Sequence, residues 1–302
     1  MKNLKKILCL SLALVLLLPS LGLAANGDFG TTKNVILLIP DGMSVEAVTS
    51  ARWMTDSKSF TFDQMATGLV RTNNSNTPIA DSAPAGTAMA TGIKTVSPFI
   101  GTYPTKALMP GAEGFDESKS MMPIANVLEG AHRKGMATGI IATSQIQHAT
   151  PADFSAHHPN RNNYEDLAEQ QVYQNIDVVL GGGSRYLSAD SRKDGEDLIS
   201  VIKGLGYDYV EDTAAMKAST GNKLWGMFAP KAMSYDIDRD PAKEPSLAEM
   251  TSKAIDVLSK NKDGFFLMVE GSQIDWAAHD NDPVGIRSEV IAFDKAVAVA
   301  KE

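Results

Sequence analysis

The residue most suggestive of chemistry is Ser82, which lies where a helix of small residues should begin. Asp81 and Ser82 are favourable N-cap residues, Pro84 suits the first helical turn, and Gly92 marks the helix end. A helix N-terminus presents free N–H groups, which would stabilise a serine alkoxide or the phosphoryl group that it attacks. Taken alone, the pattern also fits an ordinary capped helix, because caps are far commoner than nucleophiles.

A second group of chemical residues lies near the end of the chain, in the block Val269-Glu-Gly-Ser-Gln-Ile-Asp-Trp-Ala-Ala-His279. Glu270 ends an apolar run, and Asp275 and His279 are spaced i, i+4. On a helix that spacing places a carboxylate and an imidazole on one face, which is a suitable pair for zinc. An isolated pair of this kind is equally at home on a helix surface.

Two further oxygen donors follow predicted strands. Asp41 comes after the apolar run from Asn34 to Ile39, which predicts a strand covered on both faces. Thr150 precedes Pro151 in a loop, where we expect an extended backbone that presents the hydroxyl. A turn aspartate and a solvated loop threonine are the structural alternatives. If these residues and Glu270 share one sheet edge, they offer hard ligands for magnesium.

Helix and strand patterns alternate along most of the chain, which predicts an α/β fold with a mainly parallel central sheet and helices on both faces. Residues 98–120 are rich in Gly, Pro and polar side chains and read as an irregular excursion that could cover the site. Predicted strands cover 34–39, 68–72, 136–143, 176–180, 207–210 and 264–270, and predicted helices cover 44–54, 123–134, 164–174, 194–205, 246–258 and 284–302.

The first 24 residues read as a secretory signal peptide. Lys2, Lys5 and Lys6 precede an apolar run from residue 7 to 18, and we expect cleavage after Ala24. The run is too short for a membrane anchor. The remaining domain, 25–302, is then an exported protein, periplasmic or extracellular, that has lost the only cysteine, Cys9.

The charge of the chain argues against two classes of partner. Loss of three lysines with the signal peptide moves the formal net charge from −8 to −11. No basic stripe interrupts this acidic sequence. Nucleic acid and anionic membrane surfaces are therefore not expected as main partners.

These motifs together resemble the alkaline phosphatase family, from about Lys33 to the last residue. The resemblance rests on four segments: Asn34 to Gly42, Asp81-Ser82-Ala83 with Thr87 and Thr91-Gly92, Ala149-Thr-Pro151 leading to Arg161, and Val269 to Asp275 with His279. It implies hydrolysis of phosphate monoesters at a site with two Zn²⁺ ions and one Mg²⁺ ion.

The resemblance also implies a role for each site residue. Ser82 would be the nucleophile that becomes a phosphoserine and a zinc ligand. Asp41 would bridge a zinc and the magnesium, and Thr150 and Glu270 would complete the protein ligands of the magnesium. Asp275 and His279 would hold the other zinc.

The substrate phosphate would be held by Arg161, a role that suits a planar guanidinium, and Asp81 would orient that side chain. His148 and Trp276 lie where relatives vary, and neither is expected to be a ligand. His132, His157 and His158 have no family role, and we expect them on a helix surface or in a loop.

The sequence departs from the family pattern in one respect. The family completes its zinc sites with an Asp-His pair on a later strand and a further histidine, whereas no histidine follows His279 here. We therefore expect a truncated chain with an incomplete sheet, weak zinc binding and negligible turnover.

The function predicted from the sequence is a secreted, metal-dependent phosphomonoesterase. One alternative is a phosphodiesterase or sulfatase of the same superfamily. Another is a remnant that binds metal or phosphate without turnover. The expected partner is a phosphate monoester substrate, and the oligomeric state is left open, with a homodimer as one option.

Overall fold

The computed structural model describes residues 32–302, so the predicted signal peptide lies outside the described part of the chain. This part is built on a six-stranded sheet in which every neighbouring pair is parallel, in the order β1-β6-β2-β3-β5-β4. The strands are β1 (Asn34–Pro40), β2 (Ala137–Gln145), β3 (Val178–Gly182), β4 (Asp208–Val210), β5 (Leu224–Met227) and β6 (Phe265–Gly271).

Helices separate most of the strands, as parallel pairing requires. Those within residues 32–302 are α1 (Val45–Arg52), α2 (Ser82–Thr91), α3 (Val127–Arg133), α4 (Ala149–Asp153), α5 (Tyr164–Tyr173), α6 (Leu198–Gly204), α7 (Thr213–Ala218), α8 (Leu247–Leu258), α9 (Gln273–His279) and α10 (Pro283–Lys301). No helix in this range has the length and apolarity needed to cross a bilayer.

The two faces of the sheet bury separate apolar cores. Every residue of β2 is buried, and its alternation sends Ile140 to one face and Ile141 to the other. Ile141 belongs to the core that includes Val257 of α8 and Phe293 of α10. Ile140 belongs to the core that includes helices α3, α5 and α6. The α/β fold with helices on both faces of a parallel sheet is thus confirmed.

Three details differ from the sequence expectations. β1 lies at one edge of the described sheet, and its Val35 is 42% exposed, so this strand is not covered along its whole length. Residues 68–72 form no strand, because Leu69 and Val70 project into solvent without a neighbouring strand to pair with. The short elements α7 and β5 were not predicted, since four to six residues show too little periodicity.

The segment 98–120 is largely irregular. It contains one short 3₁₀ turn, Glu117–Lys119, and isolated antiparallel bridges from Ile100 to His158 and from Thr102 to Pro123. The first of these bridges ties the segment to the loop that carries Arg161.

Glu289 makes one prediction about stability that concerns the fold alone. It is buried on α10, where Oε1 accepts a hydrogen bond of 2.5 Å from the backbone N–H of Asp236. Burial raises the pKa of Glu289 from 4.5 to about 7. The folded state therefore holds the Glu289 proton more tightly than the unfolded state does. As the pH rises from about 4.5 to 7, this difference lowers the free energy of unfolding.

We expect Glu289→Gln to stabilise the protein at pH 8 relative to the parent, by at most on the order of 3 kcal/mol, and to have little effect at pH 4.5. Thermal melting across this range measures the difference. Glu169→Gln, an exposed substitution on α5, is the matched control and should show no such pH dependence. A constant difference between Glu289→Gln and parent at all pH values would contradict the prediction.

Candidate active site

Six of the predicted site residues line one cavity of about 660 Å³: Asp41, Asp81, Ser82, Arg161, Asp275 and His279. The cavity lies beyond the carboxyl ends of β1 and β6, where open α/β sheets build their sites. Thr150 and Glu270 are buried and do not line it. No residue of 98–120 lines it either, so this segment does not cover the cavity in the described structure.

Ser82 is the first residue of α2, and its hydroxyl donates a hydrogen bond of 3.0 Å to Oδ2 of Asp41. Asp81 occupies the N-cap position, but its side chain does not cap the helix. Gly92 ends the helix with φ 76°, as the sequence predicted. Pro84 has no N–H and that of Ala85 donates to the Asp81 carbonyl, so the N–H groups of Ser82 and Ala83 are the ones that remain available beside the serine hydroxyl.

The Asp81 carboxylate instead orients Arg161. Oδ1 of Asp81 accepts a hydrogen bond from Nη1 of Arg161, and Oδ2 accepts one of 2.5 Å from the Ser97 hydroxyl. The other terminal nitrogen of Arg161 is 2.9 Å from Nε2 of His148. The backbone N–H of Arg161 donates to the carbonyl of Pro98 at 2.8 Å. The guanidinium is thus restrained from two sides, in keeping with its predicted role.

His148 is a neutral acceptor for Arg161. Since an arginine can only donate, Nε2 must accept, which leaves the imidazole proton on Nδ1. Burial, together with the nearby Arg161 charge, lowers the pKa of His148 to about 4. The ring packs edge-on against Trp276, with centroids 5.3 Å apart.

Glu270 is fully buried at the end of β6. Its Oε2 accepts hydrogen bonds from the hydroxyls of Ser272, at 2.6 Å, and Ser144, at 3.5 Å. Oε1 has no hydrogen-bond partner in residues 32–302. Burial, followed by the charge of Asp41, raises the pKa of Glu270 to about 8. Polar neighbours, first Ser272 and then Thr150, partly offset this rise in the pKa of the carboxyl group.

The expected extended backbone at Thr150 is wrong. Thr150 lies in the first turn of α4, next to Pro151. Proline is tolerated at the start of a helix because the N–H groups there have no intrahelical acceptor, and this outweighs the extended preference of the preceding residue. The hydroxyl still lies close enough to Glu270 to lower the pKa of that carboxyl group, and its role as a magnesium ligand stays a prediction.

Asp275 and His279 share one face of α9, as their spacing predicted. Their side chains approach to 3.5 Å between Oδ2 and Nε2, and the imidazole is 79% exposed. Burial raises the pKa of Asp275. Burial, and then the charge of Asp275, raises the pKa of Asp41 to about 6, although the hydrogen bond from Ser82 partly offsets this. Asp41, Glu270 and Asp275 therefore all have raised pKa values, because burial disfavours each ionised carboxylate and the negative charges repel one another.

These observations test whether the residues suit the expected metals. Within residues 32–302, no three His, Cys, Asp or Glu side chains lie close enough together to hold a metal ion as they stand. Asp41, Thr150 and Glu270 nevertheless supply hard oxygen donors, and Glu270 keeps one buried oxygen without a partner. A divalent cation would satisfy that oxygen and relieve the repulsion between Asp41 and Glu270. The magnesium set therefore fits in chemistry and charge, and Asp275 with His279 provides two donors for zinc.

The remaining histidines near the site have other contacts. His157 lies between the Gly101 carbonyl, 2.8 Å from Nδ1, and Glu129, 3.0 Å from Nε2. His158 accepts a hydrogen bond of 3.0 Å from the backbone N–H of Asn160. Neither lines the cavity.

The sequence analysis missed the hydroxyls that support the acids. Ser97 contacts Asp81, and Ser144 and Ser272 contact Glu270. Ser144 directly follows the predicted strand 136–143 and Ser272 lies two residues from Glu270, whereas no comparable signal marked Ser97.

Gly42 was also missed as a site residue, although Pro-Asp-Gly is a recognisable turn signal. It has φ 65°, and a Cβ here would lie 2.6 Å from Oδ1 and 2.7 Å from Cα of Asp275. Because one of these atoms belongs to the backbone of α9, the clash cannot be relieved by a side-chain rotation. Glycine thus lets α9 pack against the end of β1.

We expect Gly42→Ala to lower the free energy of unfolding by about 3 kcal/mol, combining backbone strain with this clash. Gly92→Ala is the matched control, since Gly92 has φ 76° but no atom lies within 4 Å of the place that its methyl group would take. The control should lose only about 1 kcal/mol. Chemical denaturation measures both, and equal losses would show that the close approach of α9 is unimportant.

Comparison with known proteins gives a consistent result. A family model described as alkaline phosphatase matches residues 32–302. Alkaline phosphatase 4 of Bacillus subtilis is 40% identical over 294 residues, which cover 92% of this chain and 59% of that protein. This chain therefore spans about three fifths of that relative's length.

Solved structures of alkaline phosphatases are also similar to this chain. The alkaline phosphatase from the Antarctic bacterium TAB5 is similar with a TM-score of 0.79 and 32% identity, covering 90% of this chain and 75% of that one. A point mutant of the TAB5 enzyme with Mg bound has a TM-score of 0.76 and 32% identity, covering 90% and 73%.

Proposed function

The chain belongs to the alkaline phosphatase family, and we propose that it hydrolyses phosphate monoesters through a phosphoserine at Ser82. The observation that carries this proposal is the hydrogen bond from Ser82 to Asp41 at the N-terminus of α2, in the same cavity as Arg161. The proposed nucleophile Ser82, the Asp41 carboxylate that orients it and the phosphate-binding guanidinium of Arg161 thus line the same cavity.

Binding of the phosphate would use Arg161 and the first amides of α2. Each terminal nitrogen of Arg161 uses one hydrogen toward Asp81 or His148, and its second hydrogen has no acceptor among residues 32–302. Two parallel donors match the geometry of two phosphate oxygens. Asp81 holds the guanidinium in place, so little rotamer freedom remains to be lost on binding.

In the reaction, Ser82 Oγ forms a bond to phosphorus while the bond to the substrate alcohol breaks, and the alcohol leaves with a proton. Water then cleaves the Oγ–P bond and releases inorganic phosphate. Asp41 keeps the hydroxyl aimed, and the N-terminal amides and Arg161 face the charge of the equatorial oxygens.

Metal ions would be held by residues already in place. Asp41, Thr150 and Glu270 would bind Mg²⁺, Asp275 and His279 would bind one Zn²⁺, and Asp41 with Ser82 would contribute to the other. When bound, the ions would supply Lewis-acid activation of the serine and stabilisation of the leaving oxygen.

The remaining features of the proposal come from the family and the sequence. Export to the periplasm or the cell exterior rests on residues 1–24. An alkaline pH optimum is expected from the family resemblance, and the oligomeric state stays open, with a homodimer as one option. Acidic net charge favours a small ester over nucleic acid.

The test compares three substrates, supplied with zinc and magnesium, on a chain that carries the family's full set of zinc ligands: an aryl phosphate monoester, an aryl phosphate diester and an aryl sulfate. We expect the monoester to be hydrolysed fastest. A brief incubation with ³²P-phosphate, quenched in acid, should label Ser82. Preference for the diester or sulfate would favour the superfamily alternative, and absence of both turnover and labelling would contradict the proposal.

A further inference from the structure

Asp153 is a fully buried carboxyl group that the proposed reaction does not use. It is the last residue of α4. Its Oδ1 accepts a hydrogen bond of 2.7 Å from the Thr87 hydroxyl, and Oδ2 has no partner within residues 32–302. Burial holds the pKa of Asp153 well above its ordinary value. Burying a carboxyl group is unfavourable unless its contacts compensate. The segments that contact Asp153 are therefore the ones that it can hold together.

The first contact is with the helix that begins at Ser82. The Asp153 side chain lies directly against Gly86, where a Cβ would be 2.2 Å from Oδ2 and 3.1 Å from Cγ. Thr87, the next residue, makes the hydrogen bond. Asp153 therefore joins α4, which carries Thr150, to the second turn of α2.

The second contact runs through Thr87 to the segment 98–101. The Thr87 hydroxyl accepts a hydrogen bond of 2.9 Å from the backbone N–H of Gly101. One end of this segment, the Pro98 carbonyl, accepts the backbone N–H of Arg161 at 2.8 Å, and Ile100 exchanges two backbone hydrogen bonds with His158. The segment thus connects Thr87 to the loop of Arg161.

We propose that Asp153 is a positioning residue, which acts through Thr87 to hold the Ser82 helix in register with the Arg161 loop. Asp153 makes no hydrogen bond to Ser82 or Arg161, so the path by which it positions them runs through Gly86, Thr87 and the segment 98–101, and of these two residues only Arg161 acts on it directly, through its charge. This positioning role rests on the proposed function, because only the proposed reaction requires Ser82 and Arg161 to act on the same phosphate.

Four variants separate hydrogen bonding from packing. Gly86→Ala with Asp153→Ala adds a methyl where the carboxyl group was and removes the hydrogen bond. Thr87→Val removes the hydroxyl at nearly constant volume. Asp153→Asn keeps an oxygen that can accept the Thr87 proton. Thr251→Val is the matched control, because Thr251 is equally buried but donates only within its own helix, to Leu247.

Hydrogen–deuterium exchange followed by mass spectrometry measures the positioning directly. We expect exchange of the amides in 82–91 and 98–101 to rise about tenfold in the double variant and in Thr87→Val, the effect of one lost hydrogen bond. Asp153→Asn should restore protection, and Thr251→Val should leave both segments unchanged. Protection like that of the parent in Thr87→Val and in the double variant would overturn the proposal.

Kinetics give a second readout. In the double variant and in Thr87→Val, we expect kcat/KM for an aryl phosphate to fall at least about tenfold, even where the melting temperature equals that of the parent. If both variants keep the parent's kcat/KM, the proposal is wrong. If the double variant does not fold, Thr87→Val decides alone. The kinetic comparison uses a parent that carries the family's full set of zinc ligands. Absence of turnover in that parent contradicts the proposed function, whereas the exchange measurement still decides whether Asp153 positions α2.

Discussion

In a chain that carries the family's full set of zinc ligands, Ser82→Ala is expected to lower the turnover of an aryl phosphate by at least about a thousandfold while leaving magnesium binding nearly unchanged. The physical reason is that the hydroxyl forms the covalent bond to phosphorus in the proposed mechanism, whereas the proposed magnesium ligands Asp41, Thr150 and Glu270 are unchanged. Within residues 32–302, the hydroxyl makes one hydrogen bond, to Asp41. Its removal should therefore not unfold the site.

The measurements are steady-state turnover, metal content after dialysis, and labelling by ³²P-phosphate. Ser97→Ala is a useful comparison, because it removes a second hydroxyl of the site that contacts Asp81 and not Asp41. It should lower turnover far less and keep the label. Retention of most of the parent's rate in Ser82→Ala would remove this residue from the mechanism.

Glu270→Gln is expected to weaken magnesium binding by about a hundredfold and to reduce turnover with it. The substitution replaces an anionic ligand by a neutral one of the same shape. Burial already disfavours the ionised carboxyl group when no cation is present, with a pKa of about 8. The metal-free variant should consequently be at least as stable as the metal-free parent at pH 7.

Calorimetric titration with Mg²⁺ and thermal melting in the presence of a chelator measure the two effects. Glu289→Gln is the matched control, since it neutralises another buried glutamate that lies outside the cavity. Magnesium binding should be unchanged there. An affinity for Mg²⁺ in Glu270→Gln equal to that of the parent would show that Glu270 is not a ligand.

The sequence by itself determined the class of fold and the residues that could do chemistry. Periodicity identified the long buried strands and helices, because each repeats its pattern over enough residues to be read without tertiary contacts. α8, for example, begins after the predicted cap Ser246 and ends at Leu258 as expected. Local rules also placed Ser82 at a helix start and put Asp275 and His279 on one helical face.

Tertiary structure decided where those local patterns compete with packing. Gly68 to Thr72 has the composition of a strand, yet a strand forms only where a neighbour completes its hydrogen bonds. Thr150 was expected to be extended before proline, yet it is buried in the first turn of α4, where proline is tolerated. Such outcomes depend on partners more than a hundred residues away, which no local pattern contains.

Charge and hydrogen bonding in the site were also decided by the tertiary structure. Asp81 is a good helix cap by sequence, but its carboxylate contacts Arg161, eighty residues later in the chain. Glu270 is an ordinary acid by sequence, and only burial beside Asp41 raises its pKa. The sequence specifies the chemical groups, whereas the desolvation and the distances that set their properties arise only when the parallel strands bring their ends together.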